Sequence, residues 1–546
     1  MKKLFSRVKP MALLLQEARA EGADTLKRTL TAPSLIMLGI GAIIGAGLFV
    51  RTAAAAAQNA GPSVSIAFIL AALGCAFAGL CYAELSSSIP IAGSAYTYTY
   101  ATMGELIGWI IGWDLILEYA VGAATVGIAW SEYLNNFLTH VMHMNPIPYQ
   151  LCHSPMESLN VLNYVAGMDI SQLDGALTKD MITNLQAGGS LNLPKENLDK
   201  IPASMMHYVS TSHGLINLPA LFIVSAMSLL LIKGTQESAF INGIIVIAKV
   251  AIVFLIIGIG WGYMNPANHT PYIPEATKFI DDQSISHDFG GFWGIVSAAG
   301  VVFFAFIGFD AVSTAAQEAK NPEKTMPIGI LGSLAICTVL YVLFAHVLTG
   351  VATVDDFRTN GKEASIAFAI QKYMTGFGWL AKAVTVAILA GFSSVILVML
   401  LGQSRVFYSM GKDGLLPAAF AEVHPKYKTP YKANLIIMLI VGSFAAFVPG
   451  DIVGDMTSIG TLFAFILVCI GVIILRKTNP ELPRAFKTPL VPLIPILGVL
   501  SCGLMIAGLG WTNWLRLIIW LILGLALYYF YGRNRSKLAY LDEIEK

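Results

Sequence analysis

Twelve long apolar runs constrain this chain more than any other feature of its sequence. Each run has about 20 residues or more, the length that an α-helix needs to cross a bilayer. The runs lie at 33–56, 62–88, 104–136, 215–233, 238–262, 291–317, 327–352, 377–408, 431–449, 455–475, 489–510 and 512–531. The chain is 56% hydrophobic and 12% charged, whereas soluble domains are about 25% charged. The sequence therefore predicts an all-α polytopic membrane protein with twelve transmembrane helices.

The distribution of basic residues predicts how the helices are oriented. If the N-terminus is cytoplasmic, most of the 34 Lys and Arg residues fall on the cytoplasmic side, as the positive-inside rule requires. Both tails, 1–32 and 532–546, are therefore expected in the cytoplasm, and the first 30 residues show no cleaved signal peptide. The net charge of +1 gives no reason to expect nucleic acid as a partner. We expect a multi-pass protein of a cell membrane, most simply the bacterial inner membrane.

The residues that chemistry would need for catalysis or metal binding do not form a pattern. Five of the six cysteines lie inside apolar runs, and no Cys/His spacing resembles a metal site. No nucleophile stands near a base. We therefore expect neither an enzyme nor a cofactor. A nutrient sensor is a further alternative, but the tails are short for an output domain.

The first apolar run contains Leu35–Phe49, in which four glycines occur within nine residues, namely Gly39, Gly41, Gly45 and Gly47. A glycine in a helix interior costs about 1 kcal/mol relative to alanine, so this pattern predicts a break at membrane depth. Open backbone is tolerated there only where it lines a cavity or packs on protein. Its free N–H groups favour an anion such as a carboxylate. Close packing of two helices is the alternative, and the glycine spacing alone leaves both open.

The sixth run predicts a second break. Gly300 and Gly308 flank an aromatic cluster, and Asp310 follows at membrane depth. Helix packing explains the phenylalanines but not Asp310, which we expect to support the resumed helix by capping or orienting it through its first N–H groups. Interrupted helices five runs apart are typical of a repeat of five helices plus five, with the binding site between the breaks.

Several stretches resemble the amino acid–polyamine–organocation superfamily, and within it the bacterial relatives of the cationic amino acid transporters. The stretches are GIGAIIGAGLFV (39–50), YAELSSSIPIAGSAYTY (82–98), GWDLILEYAVG (112–122), INGIIVIAKV (241–250), FFAFIGFDAVST (303–314), EAKNPEKTMPIGI (318–330) and GQSRVFYSMGKDGLLP (402–417). The resemblance implies coupled transport of amino acids by a leucine-transporter-type fold. It implies a first five-helix repeat at 33–262 with an outer loop at 137–214, an inverted repeat at 291–475, and two further helices at 489–531.

Lys249 is the single residue that most clearly indicates a function, since each of its near neighbours in INGIIVIAKVAIVFLIIGIG is apolar. A lysine at a helix centre costs about 2.5–3.5 kcal/mol on insertion scales, and such residues are usually functional. Snorkelling is the alternative. The resemblance implies that the amine lies where sodium-coupled relatives hold a sodium ion, beside carbonyls of the broken first helix. It also implies that Ser393 and Ser394 face this position, with simple helix packing as their alternative. Proton coupling is therefore predicted.

Two carboxyls of the third run, Asp114 and Glu118, are four residues apart and therefore lie on one helix face. The resemblance implies that Glu118 faces the pocket, where it would receive a substrate amine or pass on a proton. For Asp114 we favour a structural bond to another helix. Gly122, one turn further on, would leave room for a side chain. Glu84, Glu318 and Arg405 lie near helix ends, where gate ion pairs and solvated faces are equally plausible.

The resemblance also implies which residues hold the substrate. The carboxylate would meet backbone N–H groups of the first break, around Gly45, Ala46 and Gly47. Many relatives have Ser or Thr at Ala46, so one hydroxyl bond is missing here. The α-amino group would meet carbonyls of Ile43 and of the sixth-run break. That break contributes Phe304, Ala305 and Ile307, and Phe309 would pack on the substrate from the side.

Two transport reactions remain open at this point. A proton-coupled amino acid symporter leads, and an exchanger of a basic amino acid for an amine is the alternative. The expected partners are an L-amino acid, protons and the lipid bilayer; a small accessory membrane subunit stays open. Apolar Ile43, Ile307 and Phe309 favour a small neutral substrate, whereas the resembling family favours a cationic one. Loop 137–214 is expected to be short helices or partly disordered, and 353–375 to hold an amphipathic helix.

Overall fold

Each apolar run coincides with helical structure in the computed structural model, which describes residues 7–19, 26–45, 47–163, 190–193, 209–280, 286–359, 365–508 and 511–538. The α-helices are α1 (Met11–Arg19), α2 (Ala32–Ile43), α3 (Thr52–Ala55), α4 (Val64–Ser88), α5 (Ala95–Met103), α6 (Glu105–Ile116), α7 (Gly122–His140), α8 (Tyr149–Cys152), α9 (Leu218–Lys233), α10 (Thr235–Trp261), α11 (Gly291–Phe303), α12 (Ala311–Thr314), α13 (Pro322–Val351), α14 (Val354–Thr359), α15 (Ser365–Tyr373), α16 (Gly378–Lys412), α17 (Tyr431–Phe447), α18 (Gly450–Thr478), α19 (Leu493–Gly508), α20 (Trp511–Leu527) and α21 (Arg533–Arg535). Eight helical stretches among the described residues are long and apolar enough to cross a membrane, and α2, α9, α17 and α19 are shorter apolar helices. The predicted helical membrane protein is confirmed at this level.

Both predicted breaks are present. Helix α2 ends at Ile43, and the chain resumes as a π-helical turn at Gly47–Arg51. In the sixth run, α11 is followed by a 3₁₀ turn at Phe304–Phe306, an irregular turn, and then α12. The glycine patterns therefore located two interruptions that lie 250 or more residues apart in the sequence.

The third run is also irregular, although the sequence did not predict it. A π-helical turn, Leu117–Val121, separates α6 from α7 and carries Glu118. Such π-bulges are frequent at functional sites. The other short turns are π-helical at Ala56–Ala60 and Tyr528–Gly532, and 3₁₀ at Gly61–Ser63, Pro266–His269, Ala316–Glu318 and Ala418–Ala421.

The described residues of the long loop after α7 contain three strands, which the sequence did not predict, together with the short helix α8. Strands β1 (Ser158–Asn163), β2 (Ser190–Leu193) and β3 (Val209–His213) form an antiparallel sheet in the order β2-β1-β3. A second hairpin pairs β4 (Thr277–Ile280) with β5 (Ser286–Phe289). The predicted helix in 353–375 is present as two short helices, α14 and α15.

The two ends of the helix bundle differ in what covers them. At one end, here called the terminal end, the N-terminal segment meets the segment after α16: Lys9 Nζ donates to Asp413 Oδ1 at 2.6 Å. There Ser536 Oγ also donates to Glu105 Oε2. The opposite end, here called the loop end, carries the strands, and Arg358 Nε of α14 donates to Ala57 O at 3.0 Å. Between the ends, α13 packs along α2 and α4, and α16 packs along α7.

Candidate functional site

The two breaks contact each other at the centre of the bundle. A Cβ on Gly47 would overlap the backbone of Ala305, so only glycine permits this approach. Gly308 has φ +109°, and a Cβ there would lie 2.6 Å from the Ala42 Cβ. Glycine is required at Gly308 for its backbone conformation as well as for space. The structure therefore brings together the two irregular segments that the sequence singled out.

Lys249 of α10 binds the first break directly. Its Nζ donates to Gly41 O at 2.8 Å and to Ile44 O at 2.7 Å. The side chain is completely buried. Since the break leaves carbonyls without helical partners, the ammonium supplies the missing donors. An apolar residue here would remove both bonds and leave Ile44 O without this donor.

Ser394 of α16 and Asn242 of α10 complete this arrangement. The Lys249 Nζ lies 3.4 Å from Ser394 Oγ, and Ser394 Oγ lies 3.0 Å from Gly41 O and 2.6 Å from Asn242 Oδ1. Asn242 Nδ2 in turn donates to Met37 O at 3.0 Å. Ser393 points elsewhere: its hydroxyl donates to Leu389 O of its own helix at 2.9 Å.

Tyr341 of α13 connects the two breaks. Its hydroxyl lies 2.7 Å from Ile43 O and 3.0 Å from Ala305 O, and the side chain is fully buried. A single phenolic proton is thus shared between one carbonyl of each break. Each carbonyl oxygen has a second lone pair, so it retains capacity for another donor.

Asp310 lies just before α12, but its side chain makes no capping hydrogen bond. The capping prediction is therefore wrong. The carboxyl instead accepts from the Tyr119 hydroxyl at 2.5 Å, because the turn after the 3₁₀ segment points it toward the third run. Asp310 and Glu118 also face each other as close ionisable neighbours.

Asp114 and Glu118 are both buried. Within the described part of the chain, none of their four carboxyl oxygens has a hydrogen-bond donor of ordinary geometry. The expected bond from Asp114 to another helix is therefore absent, and the prediction was wrong. What lies beside it is Gly460 of α18, where a Cβ would be 3.0 Å from Asp114 Oδ1. No three described His, Cys, Asp or Glu side chains are placed to hold a metal ion.

The remaining predicted residues surround the breaks. Ile43, Ile307 and Phe309 are buried, and Phe309 packs on Tyr82 and Phe465 with ring centroids 5.9 and 5.0 Å apart. A Cβ on Gly45 would overlap Val395, and a Cβ on Gly122 would approach Met399 and Thr457. The Arg51 guanidinium lies over the Phe304 ring, 5.5 Å from its centroid. Ala46 lies outside the described residues.

Toward the terminal end, ion pairs connect the segments that surround this site. Arg405 Nη2 lies 2.7 Å from Glu318 Oε1, and both side chains are fully buried. Glu84 pairs with Arg476 at 2.8 Å and with Arg484 at 3.2 Å. Of the two alternatives for these residues, ion pairing rather than a solvated face is observed.

Three residues of the site were missed in the sequence. Asn242 lies seven residues before Lys249, on the same helix face, and that spacing was a usable signal. Tyr119 and Tyr341 gave none, because a tyrosine in an apolar run looks like a packing residue until the opposite helix is known.

The family model described as amino acid permease matches residues 30–527. The branched-chain amino acid permease BcaP of Bacillus subtilis (strain 168) is 40% identical over 521 residues, which cover 95% of this chain and 96% of the relative. The methylthioribose transporter of the same organism is 36% identical over 98% of this chain and 100% of the relative. The vacuolar cationic amino acid transporter 4 of Arabidopsis thaliana is 28% identical over 84% of this chain and 65% of the relative.

Proposed function

Because this chain belongs to the amino acid permease family, we propose that it imports L-amino acids together with protons by alternating access. The proposed architecture is the leucine-transporter type, with inverted five-helix repeats at 33–262 and 291–475 and two further helices at 489–531. The proposed location is a bacterial cell membrane, with both tails in the cytoplasm. The terminal end then faces the cytoplasm.

The contacts of Lys249 carry the proposal of proton coupling. The ammonium holds two carbonyls on either side of the first break, Gly41 O and Ile44 O. If the amine gives up its proton, the charge that attracts these carbonyls disappears, and the break is free to rearrange. Loss and gain of one proton would thereby change the backbone that faces the substrate. Such a link between charge and geometry is what coupled transport requires.

The substrate's polar groups have complementary partners at the breaks. The carboxylate is proposed to bind N–H groups of the turn between Gly45 and Gly47, with Ala46 contributing its own amide. The α-amino group is proposed to donate to Ile43 O and Ala305 O, which share the Tyr341 hydroxyl. Phe309 then closes the pocket from the side.

We propose a neutral, apolar side chain for the preferred substrate. Ile43 and Ile307 present aliphatic surface at the breaks. Two relatives that align with this chain over almost their whole length are named branched-chain amino acid permeases. The names of other relatives indicate further substrates to test. These relatives are a methylthioribose transporter and cationic amino acid transporters at 28–30% identity.

Exchange of a basic amino acid for an amine is the second candidate, and one observation favours it. Glu118 and Asp310 lie at the sixth-run break, Asp114 lies one helical turn before Glu118, and all three side chains are buried. A cationic side chain would find complementary charge there. The sequence alone offered only Glu118 for that purpose.

Uptake by purified protein in liposomes separates the candidates. Labelled branched-chain, small neutral and basic L-amino acids, and methylthioribose, are supplied outside with an imposed pH gradient and no sodium. Accumulation of neutral amino acids only when the outside is acidic supports symport. Accumulation that requires an amino acid or amine preloaded inside contradicts it and supports exchange.

A further inference from the structure

A row of three carboxyls extends from the sixth-run break into the third run. Asp310 lies at the break, Glu118 faces it from the π-helical turn, and Asp114 lies one helical turn before Glu118. Four residues of helix span about 6 Å. The row therefore leads away from the substrate site along α6.

The direction of the row is set by the contacts of α6. That helix begins at Glu105, whose carboxyl accepts from Tyr528 and Ser536 near the C-terminus. Glu105 N also donates to Arg7 O at 2.9 Å. Asp114 is therefore the member of the row that lies nearest the terminal end.

The three carboxyls have few of the partners that buried carboxylates normally have: Asp310 Oδ2 accepts from the Tyr119 hydroxyl, and Asp310 and Glu118 face each other. In the residues that the structure describes, no donor of ordinary geometry reaches Asp114, Glu118 or Asp310 Oδ1. The titratable groups that face the row are Tyr82, Tyr98, Tyr119 and Cys75, none of which is a cation. Lys249 is engaged at the first break. A buried carboxylate without a cation is costly, and protonation removes that cost.

Packing against a glycine leaves room for the Asp114 carboxyl. Gly460 of α18 lies directly against it, and a Cβ there would approach Asp114 Oδ1 to 3.0 Å. At this position α18 therefore presents a glycine, which has no side chain to bind the acid. A carboxyl that is buried, uncoordinated and given room has no structural bond to make.

We propose that Asp114 is the exit group for the co-transported proton, and that the proton moves from Asp310 to Glu118 to Asp114. In each step the O–H bond of one acid breaks and an O–H bond forms on the next carboxylate. The donor is left as a carboxylate and is reprotonated from the substrate side. Asp114 then releases the proton toward the terminal end. This inference rests on the proton coupling of the proposed function.

The test compares Asp114→Asn with Asp114→Glu in full-length protein in liposomes. Two rates are measured for the same preparation: net uptake driven by a pH gradient, and exchange of labelled external for unlabelled internal amino acid without a gradient. Internal acidification is recorded with a pH-sensitive dye. Asp356→Asn is the matched control, since Asp356 is a carboxylate of the loop end with several donors.

We expect Asp114→Asn to lose gradient-driven uptake and internal acidification about tenfold or more, while exchange falls less than about threefold. Asp114→Glu, which keeps an ionisable group, should retain coupled uptake. Equal losses of both rates in Asn and Glu variants would mean a purely structural role and overturn the proposal. So would full coupling in Asp114→Asn.

Two other results would also overturn it. If Asp114→Asn removes uptake of arginine and lysine but not of neutral amino acids, the row binds a substrate side chain. If sodium rather than a pH gradient drives the wild type, the row belongs to a different ion. A wild type that shows no dependence on either gradient refutes the proposed coupling itself, whatever Asp114 does.

Discussion

The two breaks are built alike from glycine and irregular backbone, but opposite charges accompany them. At the first break a single cation, Lys249, has three oxygen neighbours, Gly41 O, Ile44 O and Ser394 Oγ. At the sixth-run break the neighbours are acids, and apart from the Tyr119 hydroxyl on Asp310 they lack donors.

This difference indicates two different tasks. A buried group whose hydrogen bonds are all made fixes the structure around it, and removing it leaves its partners unsatisfied. A buried polar group without hydrogen-bond partners is stabilised when it binds a proton or a ligand. The first break is thus held by the charge on Lys249 for as long as that charge is present, whereas the second break is bordered by acids that lack donors among the described residues.

The largest effect should come from Lys249→Ala, which removes the cation that binds the first break. Two carbonyls lose a charged donor, and although Gly41 O keeps the Ser394 hydroxyl at 3.0 Å, an unsatisfied buried group costs about 1–3 kcal/mol. Gradient-driven uptake in liposomes should fall about tenfold or more. Lys382→Ala, which removes an exposed lysine of the eighth run, should change it little. Undiminished gradient-driven uptake by Lys249→Ala would remove this residue from the coupling mechanism.

The next effect concerns the contact between the breaks. Gly308→Ala places a Cβ 2.6 Å from that of Ala42 at φ +109°, and overpacking of this kind costs about 1–3 kcal/mol. We expect a lower thermal unfolding midpoint in detergent and reduced uptake. Gly243→Ala is the matched control, because a Cβ there meets nothing within 4 Å. Equal stability of the two variants would show that the breaks do not need this approach.

A smaller effect is expected for Tyr341→Phe, which removes the shared hydroxyl but keeps the ring. A hydrogen bond of this kind contributes about 1 kcal/mol, so apparent substrate affinity should weaken about fivefold. The maximal rate should change less. Tyr272→Phe, whose hydroxyl contacts Ser65 and His346 instead, should leave affinity unchanged. An identical shift in affinity in both variants would mean that the shift comes from a general loss of packing and not from the shared hydroxyl.

The breaks and the lysine contact could be predicted because their signals are local. A glycine weakens a helix wherever it stands, and one ammonium in an apolar run must find oxygen atoms. Neither argument needs to know the neighbouring helix. Lys249 therefore reached the carbonyls of the first run, where it was expected.

The unpartnered Asp114, the uncapped Asp310 and the shared Tyr341 hydroxyl could not be predicted. A helix that is apolar all round has no periodicity that reveals which face meets which neighbour. Rotation of one helix by a few tens of degrees decides whether Asp114 faces a donor or Gly460. The strands of the loop after α7 were missed for a related reason, since short polar strands lack the alternation that signals them.

Asp356 is a carboxylate whose hydrogen bonds are made, and it therefore provides a reference for the acids at the sixth-run break. Burial alone raises the pKa of Asp356, but hydrogen bonds from Lys372, Tyr373 and Thr353 outweigh it and lower the pKa to about 2. The folded-state pKa lies below the usual value of 3.8. The ionised form therefore stabilises the folded state, fully above about pH 4, and this contribution is lost as the pH falls through about 2.

Thermal unfolding of Asp356→Asn should accordingly begin at a lower temperature than that of the wild type at pH 5, and the difference should shrink as the pH approaches 2. Asp355→Asn, next in the chain and 88% exposed, should show almost no pH-dependent difference. Neither variant should alter the ratio of gradient-driven uptake to exchange, because Asp356 already has its donors and takes no part in proton movement. A changed ratio in Asp356→Asn would mean that a satisfied carboxylate also affects coupling, and the distinction between satisfied and unsatisfied groups would no longer separate the two tasks.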